Sequence, residues 1–290
     1  MGATSSSVRV SPIGDVDLPG VAAFLHENLN QRVEARDWER ALRVPWNVDA
    51  PNHGFMLQAN GSVVGAYLAF YCDRTIDGEV ERFCNLGAWC VRPEHRFRGL
   101  LLLKALLAQD GYHFTDFSPS GSVIPLNRRM GFHDLDTATV LIPNLPWPTW
   151  PGRGRVSGDP SVIEATLTGR ELAVYRDHVG APAAIHLVLR RDSEWCYVLL
   201  RKDRRKGLPG FVSVLHVTNP DLYRRMAHQV ARHLLVRQRA LASLLEVRVA
   251  HHRPRPSIQL RSPRTKQFRS SHLQDDHIDY LYSELVCLPW

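Results

Sequence analysis

The residues best placed to do chemistry lie between Val91 and Lys104, in the run VRPEHRFRGLLLLK. Arg96 and Arg98 stand just ahead of Gly99, and an apolar stretch of helical character, Leu100 to Gln109, follows at once. A helix N-terminus leaves backbone N–H groups unpaired and carries a partial positive charge. Two guanidinium groups beside it add charge-assisted hydrogen bonds suited to phosphate oxygens, and a glycine lets the backbone approach a ligand closely. The spacing predicts an anion site whose natural guest is a pyrophosphate. His95 falls in the same turn and is read as an exposed loop residue.

Proton carriers for such a site are sought among nearby carboxylates. Glu79 and Glu81 lie just ahead of the apolar run Cys84 to Val91, and Asp116 lies near the end of the run Tyr112 to Phe117. Each could accept a proton directly or through water. The two glutamates fit a solvated acidic loop, TIDGEVERF, equally well, and Asp116 fits a turn or cap. His113 is read as a structural strand residue. Cys90 invites a covalent reading, but no base adjoins it in sequence and a packing role is expected. The five cysteines are scattered, odd in number and form no C-x-x-C pair, so neither a disulfide framework nor a metal site is expected.

The elements that must position these residues follow from the apolar pattern. Val8 to Ser11 predicts a strand. Val21, Ala22, Phe24 and Leu25 recur at helical spacing, with Asp15 or Asp17 as the cap. Phe55 to Gln58 and Val63 to Tyr71 flank Asn60-Gly61, which supplies the positive φ angles of a tight hairpin. The strand Cys84 to Val91, the basic turn, the helix Leu100 to Gln109, the strand Tyr112 to Phe117 and the segment Leu126 to Phe132 complete the first half. This order predicts a mixed α/β sheet, in which ligands bind where strands end and helices begin.

These pieces together resemble the GNAT superfamily, the GCN5-related N-acetyltransferases. Arg96, Phe97, Arg98, Gly99, Leu100 and Leu101 occupy the six positions of the Q/R-x-x-G-x-G/A motif, VRVSPIGDVDLPGVAAFL resembles the opening strand and helix, and NRRMGF the closing Y-x-x-x-G-F segment. Two departures stand out: Leu101 replaces a small residue, and Asn127 takes the place of a tyrosine that often protonates the leaving thiolate. The resemblance implies acetyl-CoA or another acyl-CoA as donor. It implies that the turn 96–101 holds the diphosphate, that main-chain groups of Trp89, Cys90 and Val91 pair with the pantetheine arm, and that the acyl carbonyl sits near Gly87 to Trp89. The fold class implied is α/β, a mixed, mostly antiparallel sheet flanked by helices, in two GNAT-like domains.

Residues 1–142 are assigned to the acyl-CoA-binding domain and the Pro/Gly-rich residues 143–160 to a linker, from which Trp147 and Trp150 could roof a cleft. Residues 161–290 repeat the rhythm as a degenerate domain shaping the acceptor site. There the sequence predicts a helix near 161–170, strands at Ala173 to Tyr175, Ala184 to Leu189, Trp195 to Leu200 and Phe211 to Val217, a long helix from Pro220 to about Leu241, and a strand Leu245 to Ala250. Val217-Thr218-Asn219-Pro220 stands where the first half has its arginines and glycine.

With 44% hydrophobic and 22% charged residues, the composition excludes a disordered or membrane-spanning chain. The formal charge of +7 favours phosphate-bearing partners. MGATSSSVRV lacks a signal peptide's apolar core, so a cytoplasmic protein is expected. The expected reaction is acyl transfer to an amine of a small molecule or sugar, without nucleic acid. Transfer to a hydroxyl, a Fem-like transfer from charged tRNA, and acyl-CoA binding without chemistry stay open.

Overall fold

A computed structural model describes residues 8–148, 154–205 and 207–289. They form two seven-stranded sheets. In the first, the strands run in the order Arg9–Pro12, Gly54–Ala59, Ser62–Ile76, Glu79–Val91, His113–Asp116, Gln267–Arg269 and His133–Asp134. The expected Asn60-Gly61 hairpin is present, with φ of 51° and 76°. TIDGEVERF is not a loop: Asp77 and Gly78 take φ of 52° and 90° and make a second two-residue hairpin, pairing Ile76 with Glu79 and Arg74 with Glu81. Its polar composition arises because this end of the strand projects beyond the core, with residues 79, 80 and 82 exposed. Asp17 stands at the N-cap of helix Leu18–Asn28 without a side-chain cap bond there; its carboxylate instead accepts from the Gly14 N–H at 2.9 Å across the preceding 3-10 turn.

The strands Glu79–Val91 and His113–Asp116 run parallel, and the helix Gly99–Leu107 joins them. Leu102, Leu103 and Leu106 of that helix are buried against the sheet with Leu57, Tyr71 and Phe114, which accounts for its run of leucines. Helix Leu18–Asn28 covers the opposite face, and its Val21 and Leu25 share a core with Phe70, Tyr175 and Tyr197. That core therefore reaches from one half of the chain into the other.

The second sheet is ordered Ile258–Gln259, Thr139–Pro143, Ala242–Glu246, Leu208–Val217, Glu194–Arg205, Ile185–Arg191 and Arg155–Ser157. It repeats the parallel pair of the first, matching Phe211 with Ala242 through Val214 with Leu245. Three expectations are corrected here. Ala173 to Tyr175 is not a strand but lies in the helix Gly169–His178, because a three-residue apolar run cannot distinguish the two periods. The long helix is broken at Met226 into Pro220–Arg225 and Ala227–Gln238. The last strand ends at Glu246 and winds into the helical turn Val247–Ala250.

The sheets exchange segments. Thr139–Pro143 and Arg155–Ser157, at the ends of the expected linker, are strands of the second sheet, while Gln267–Arg269 returns to the first. Trp147 stacks on His228 with ring centroids 4.4 Å apart; Trp150 lies outside the described residues. No helix is long and apolar enough to cross a membrane among the described residues.

Candidate functional site

The parallel pairing of Glu79–Val91 with His113–Asp116 begins at Phe83 opposite His113 and stops at Leu86 opposite Asp116. Beyond that point no described strand pairs with this edge, although the other edge stays paired through Cys90 with Ala66 and Val91 with Gly65. A bulge causes the divergence: the register shifts between Ala66 and Leu68, and Ala88 takes a φ of 55°. Unpaired main-chain groups of residues 87–91 thus face the opening. A small cleft of about 130 Å³ lies there, lined by Tyr67, Gly87, Ala88, Trp89, Asp116 and Ser118, among others.

Trp89 stacks on Tyr67, centroids 4.6 Å apart and planes 8° from parallel, which is worth roughly 0.5–1.5 kcal/mol beyond area burial. Gly99 opens the helix under the same indole. A Cβ on Gly99 would lie 3.4 Å from Val91 Cγ2 and 3.6 Å from Trp89 Cζ2, ordinary contact distances, so an alanine would fit there without displacing the strand. Its backbone is ordinary helix, φ −56°.

The turn before it, Pro93–Arg98, is wound as 3-10 helix directly into Gly99–Leu107. Arg96 and Phe97 are exposed, Phe97 at 75%, and Leu101 is partly exposed on the first helical turn. Arg98 donates to the Val8 carbonyl at 3.2 Å and so also ties down the opening strand. Leu100 is half-buried. Cys90 is buried, and burial pushes its thiol up, partly offset by Arg96. That environment suits packing and not a nucleophile.

The three candidate carboxylates part company. Asp116 lines the cleft and is 3% exposed. It accepts from Asn127 Nδ2 at 2.9 Å, Tyr67 Oη at 3.4 Å and the Ser118 N–H at 3.3 Å. Burial outweighs these bonds and raises its carboxyl from 3.8 to about 6. Asn127 is wholly buried with its amide engaged with Asp116, and it does not line the cleft.

Glu79 and Glu81 are not brought to the cleft. They stand at the far end of the same strand, about 20 Å (Glu81) and about 26 Å (Glu79) from Gly87 at roughly 3.3 Å per residue. Both oxygens of Glu81 are occupied, by His113 Nε2 and His272 Nε2 at 2.8 Å each, and these bonds lower its carboxyl.

Glu284 is the residue that sequence reasoning missed. The C-terminal segment returns to the first sheet, and a short helix, Glu284–Cys287, docks where the two parallel strands diverge. The Glu284 N–H donates to Asn85 Oδ1 at 2.7 Å, and Ser118 Oγ donates to Glu284 Oε1 at 3.0 Å. Its side chain lies flat on Gly87: an added Cβ there would come within 2.9 Å of Glu284 Cβ. Glu284 is fully buried, and Oε2 has no hydrogen-bond partner among the described residues. Burial, reinforced by the charge of Asp116, raises this carboxyl from 4.5 to about 8. The one local signal was a single acid in the otherwise apolar LYSELVCLPW.

Beyond Ser118, Phe117 and Leu285 a second cavity of about 650 Å³ reaches across to the second sheet. Its walls carry Arg201, Arg205, Arg264 and Lys266 with the acids Asp203 and Glu246. Arg264 makes a bidentate pair with Asp203 at 2.8 and 2.9 Å, and Lys266 Nζ lies 2.8 Å from Glu246. Ser118 borders both this cavity and the cleft.

No family model and no curated protein matches the sequence. Solved structures do. A GCN5-related N-acetyltransferase from Anabaena variabilis superposes with a TM-score of 0.57 at 9% identity, over 91% of this chain and 72% of that one. A GCN5-related glucosamine N-acetyltransferase region from a fungal multi-domain β-N-acetylglucosaminidase gives 0.58 at 14%, over 91% of this chain and 38% of that one. The N-myristoyltransferase of Saccharomyces cerevisiae with bound myristoyl-CoA gives 0.52 at 10%, over 93% and 79%. The chain has the GNAT fold, and the match extends over most of its length, consistent with two such units in tandem.

Proposed function

We propose that this chain is an acyl-CoA-dependent acyltransferase that moves an acetyl or longer acyl group to an amine of a small molecule or sugar. The observation that carries the reading is the opening of the strand at Gly87–Trp89. It is flanked by the N-terminus of helix Gly99–Leu107 on one side and the buried carboxyl of Glu284 on the other. Likeness to a structure holding myristoyl-CoA and to a glucosamine N-acetyltransferase region supports the donor and acceptor classes. In this reading residues 1–142 hold the donor, with Arg96, Arg98 and the N–H groups of 99–101 on the diphosphate and Trp89–Val91 on the pantetheine arm. Residues 161–290 shape the acceptor cavity, except that the segment from Gln267 onward returns to the donor side.

The amine nitrogen bonds to the thioester carbonyl carbon, the C–S bond breaks, and CoA leaves as the thiolate. The proton lost from nitrogen passes through the Ser118 hydroxyl to the ionised form of Glu284, which a carboxyl raised to about 8 makes the minor form at neutral pH and the major form above about 8. Asp116 acts as a positioning residue: its negative charge helps raise Glu284. The basic walls of the cavity favour an acceptor that also bears an anionic group.

A second reading, acyl-CoA binding without turnover, draws on the narrowness of the cleft and on Asn127, an amide buried against Asp116. Release of free thiol from acetyl-CoA and myristoyl-CoA, followed with a panel of amines and amino sugars, separates the two. Acceptor-dependent release supports transfer. Saturable binding with no release under any acceptor supports the second reading, and no binding removes both.

A further inference from the structure

We propose that Glu81, His113 and His272 form a binding site for a divalent transition metal, best matched by zinc, that fastens the C-terminal segment to the first sheet. Sequence reading set metals aside because the cysteines lack ligand spacing. It could not see three ligands drawn from positions far apart in the chain.

The geometry is convergent. His113 Nε2 lies 2.8 Å from one oxygen of Glu81 and His272 Nε2 lies 2.8 Å from the other. The ligand atoms of all three residues fall within 4.8 Å of one another, and the two imidazoles meet edge to face with centroids 5.0 Å apart. Zinc binds imidazole nitrogen and carboxylate oxygen at about 2.0–2.2 Å, which in a tetrahedron separates ligand atoms by about 3.4 Å. A cation therefore enters by replacing the two 2.8 Å hydrogen bonds, each of those ligand pairs opening by about 0.6 Å while the widest pair, at up to 4.8 Å, closes.

The supports differ in a way that suits capture of an ion. Glu81 and His113 sit on adjacent strands, with side chains 18% and 8% exposed, and cannot drift apart. His272 stands on the segment between Gln267–Arg269 and the 3-10 turn Asp275–His277, with its side chain 57% exposed, and is free to adjust. Its Nδ1 lies 3.1 Å from Ser271 Oγ, a contact of the kind that orients a ligating imidazole and fixes its tautomer. Two imidazoles and one carboxylate select zinc and its neighbours in the series over calcium or magnesium, and solvent on the His272 side supplies the remaining ligand. The ion would clamp the start of the segment that ends in Glu284.

The test uses full-length protein stripped with a chelator, then titrated calorimetrically with zinc and, separately, with cobalt(II) while its visible absorption is recorded. The expected result is one ion per chain, a cobalt spectrum of a low-coordinate nitrogen/oxygen site, and a melting temperature several degrees higher with zinc. His272→Ala, at an exposed position and so expected to fold, should weaken binding at least tenfold, and Glu81→Gln should do the same. Absence of saturable zinc or cobalt binding, or binding undiminished in both variants, overturns the proposal and leaves the three residues as a hydrogen-bonded clasp.

Discussion

The two sheets place a carboxylate at the same point and treat it oppositely. Asp116 ends the strand that runs parallel to Glu79–Val91, and Glu246 ends the strand that runs parallel to Leu208–Val217. The hydrogen bonds to Asp116 all come from neutral groups, and a second acid, Glu284, lies close enough to raise its own carboxyl through the charge of Asp116. Glu246 instead pairs with Lys266 and accepts from the Tyr280 hydroxyl, while the ammonium of Lys266 lies 3.2 Å from the Tyr280 ring centre. A buried acid denied a counter-cation holds and releases protons near neutral pH; one that is paired becomes a fixed part of the packing. The loops preceding the crossover helices differ in the same sense, arginines and a glycine in the first half against Thr218-Asn219-Pro220 in the second. In the proposed reading, the first half is the reactive one and the second shapes the acceptor site.

The contrast can be broken at Glu284. Glu284→Gln keeps the shape and removes the proton acceptor, so kcat should fall about 10²–10⁴-fold with acyl-CoA affinity unchanged, measured by thiol release and calorimetry. Unchanged kcat would return Glu284 to a packing role. Glu246→Gln should do the reverse. It leaves Lys266 buried and unpaired, and denaturant titration should show a loss of about 3–5 kcal/mol, because breaking one partner of a buried pair strands the other.

A smaller effect is expected at Arg96. Arg96→Ala should weaken acyl-CoA binding by about 1.5–3 kcal/mol, the usual worth of a hydrogen bond to a charged group, and should not move the melting temperature. A further effect is a pH trend. The Glu284 carboxyl is raised from 4.5 to about 8, so the folded state holds a proton that the unfolded chain releases. Its contribution is fully present below 4.5 and is lost as pH rises through about 8. Melting temperature should therefore decline across that window, and Glu284→Gln should flatten the decline.

Much of the first half was legible in the sequence because its signals are local. Asn60-Gly61 fixes a hairpin by backbone conformation alone, and the apolar run after Gly99 marks a helix. The Asp77-Gly78 hairpin was hidden because its flanking residues are polar, as suits a projecting ribbon. Glu79 and Glu81 looked well placed because they enter the strand from which GNAT relatives often draw a carboxylate base, but an extended strand carries its residues apart at about 3.3 Å each. Glu284 gave the converse error, since 197 positions separate it from Gly87 and only the return of the chain to the first sheet joins them. A fold family constrains where strands diverge; it does not say which distant segment fills the gap.

The most direct test of this asymmetry is the stoichiometry of donor binding. Full-length protein titrated calorimetrically with acetyl-CoA and myristoyl-CoA should bind one molecule per chain, and the Arg96→Ala change should weaken that site. Two equivalent sites, or one site indifferent to Arg96, would contradict the assignment of donor binding to the first half.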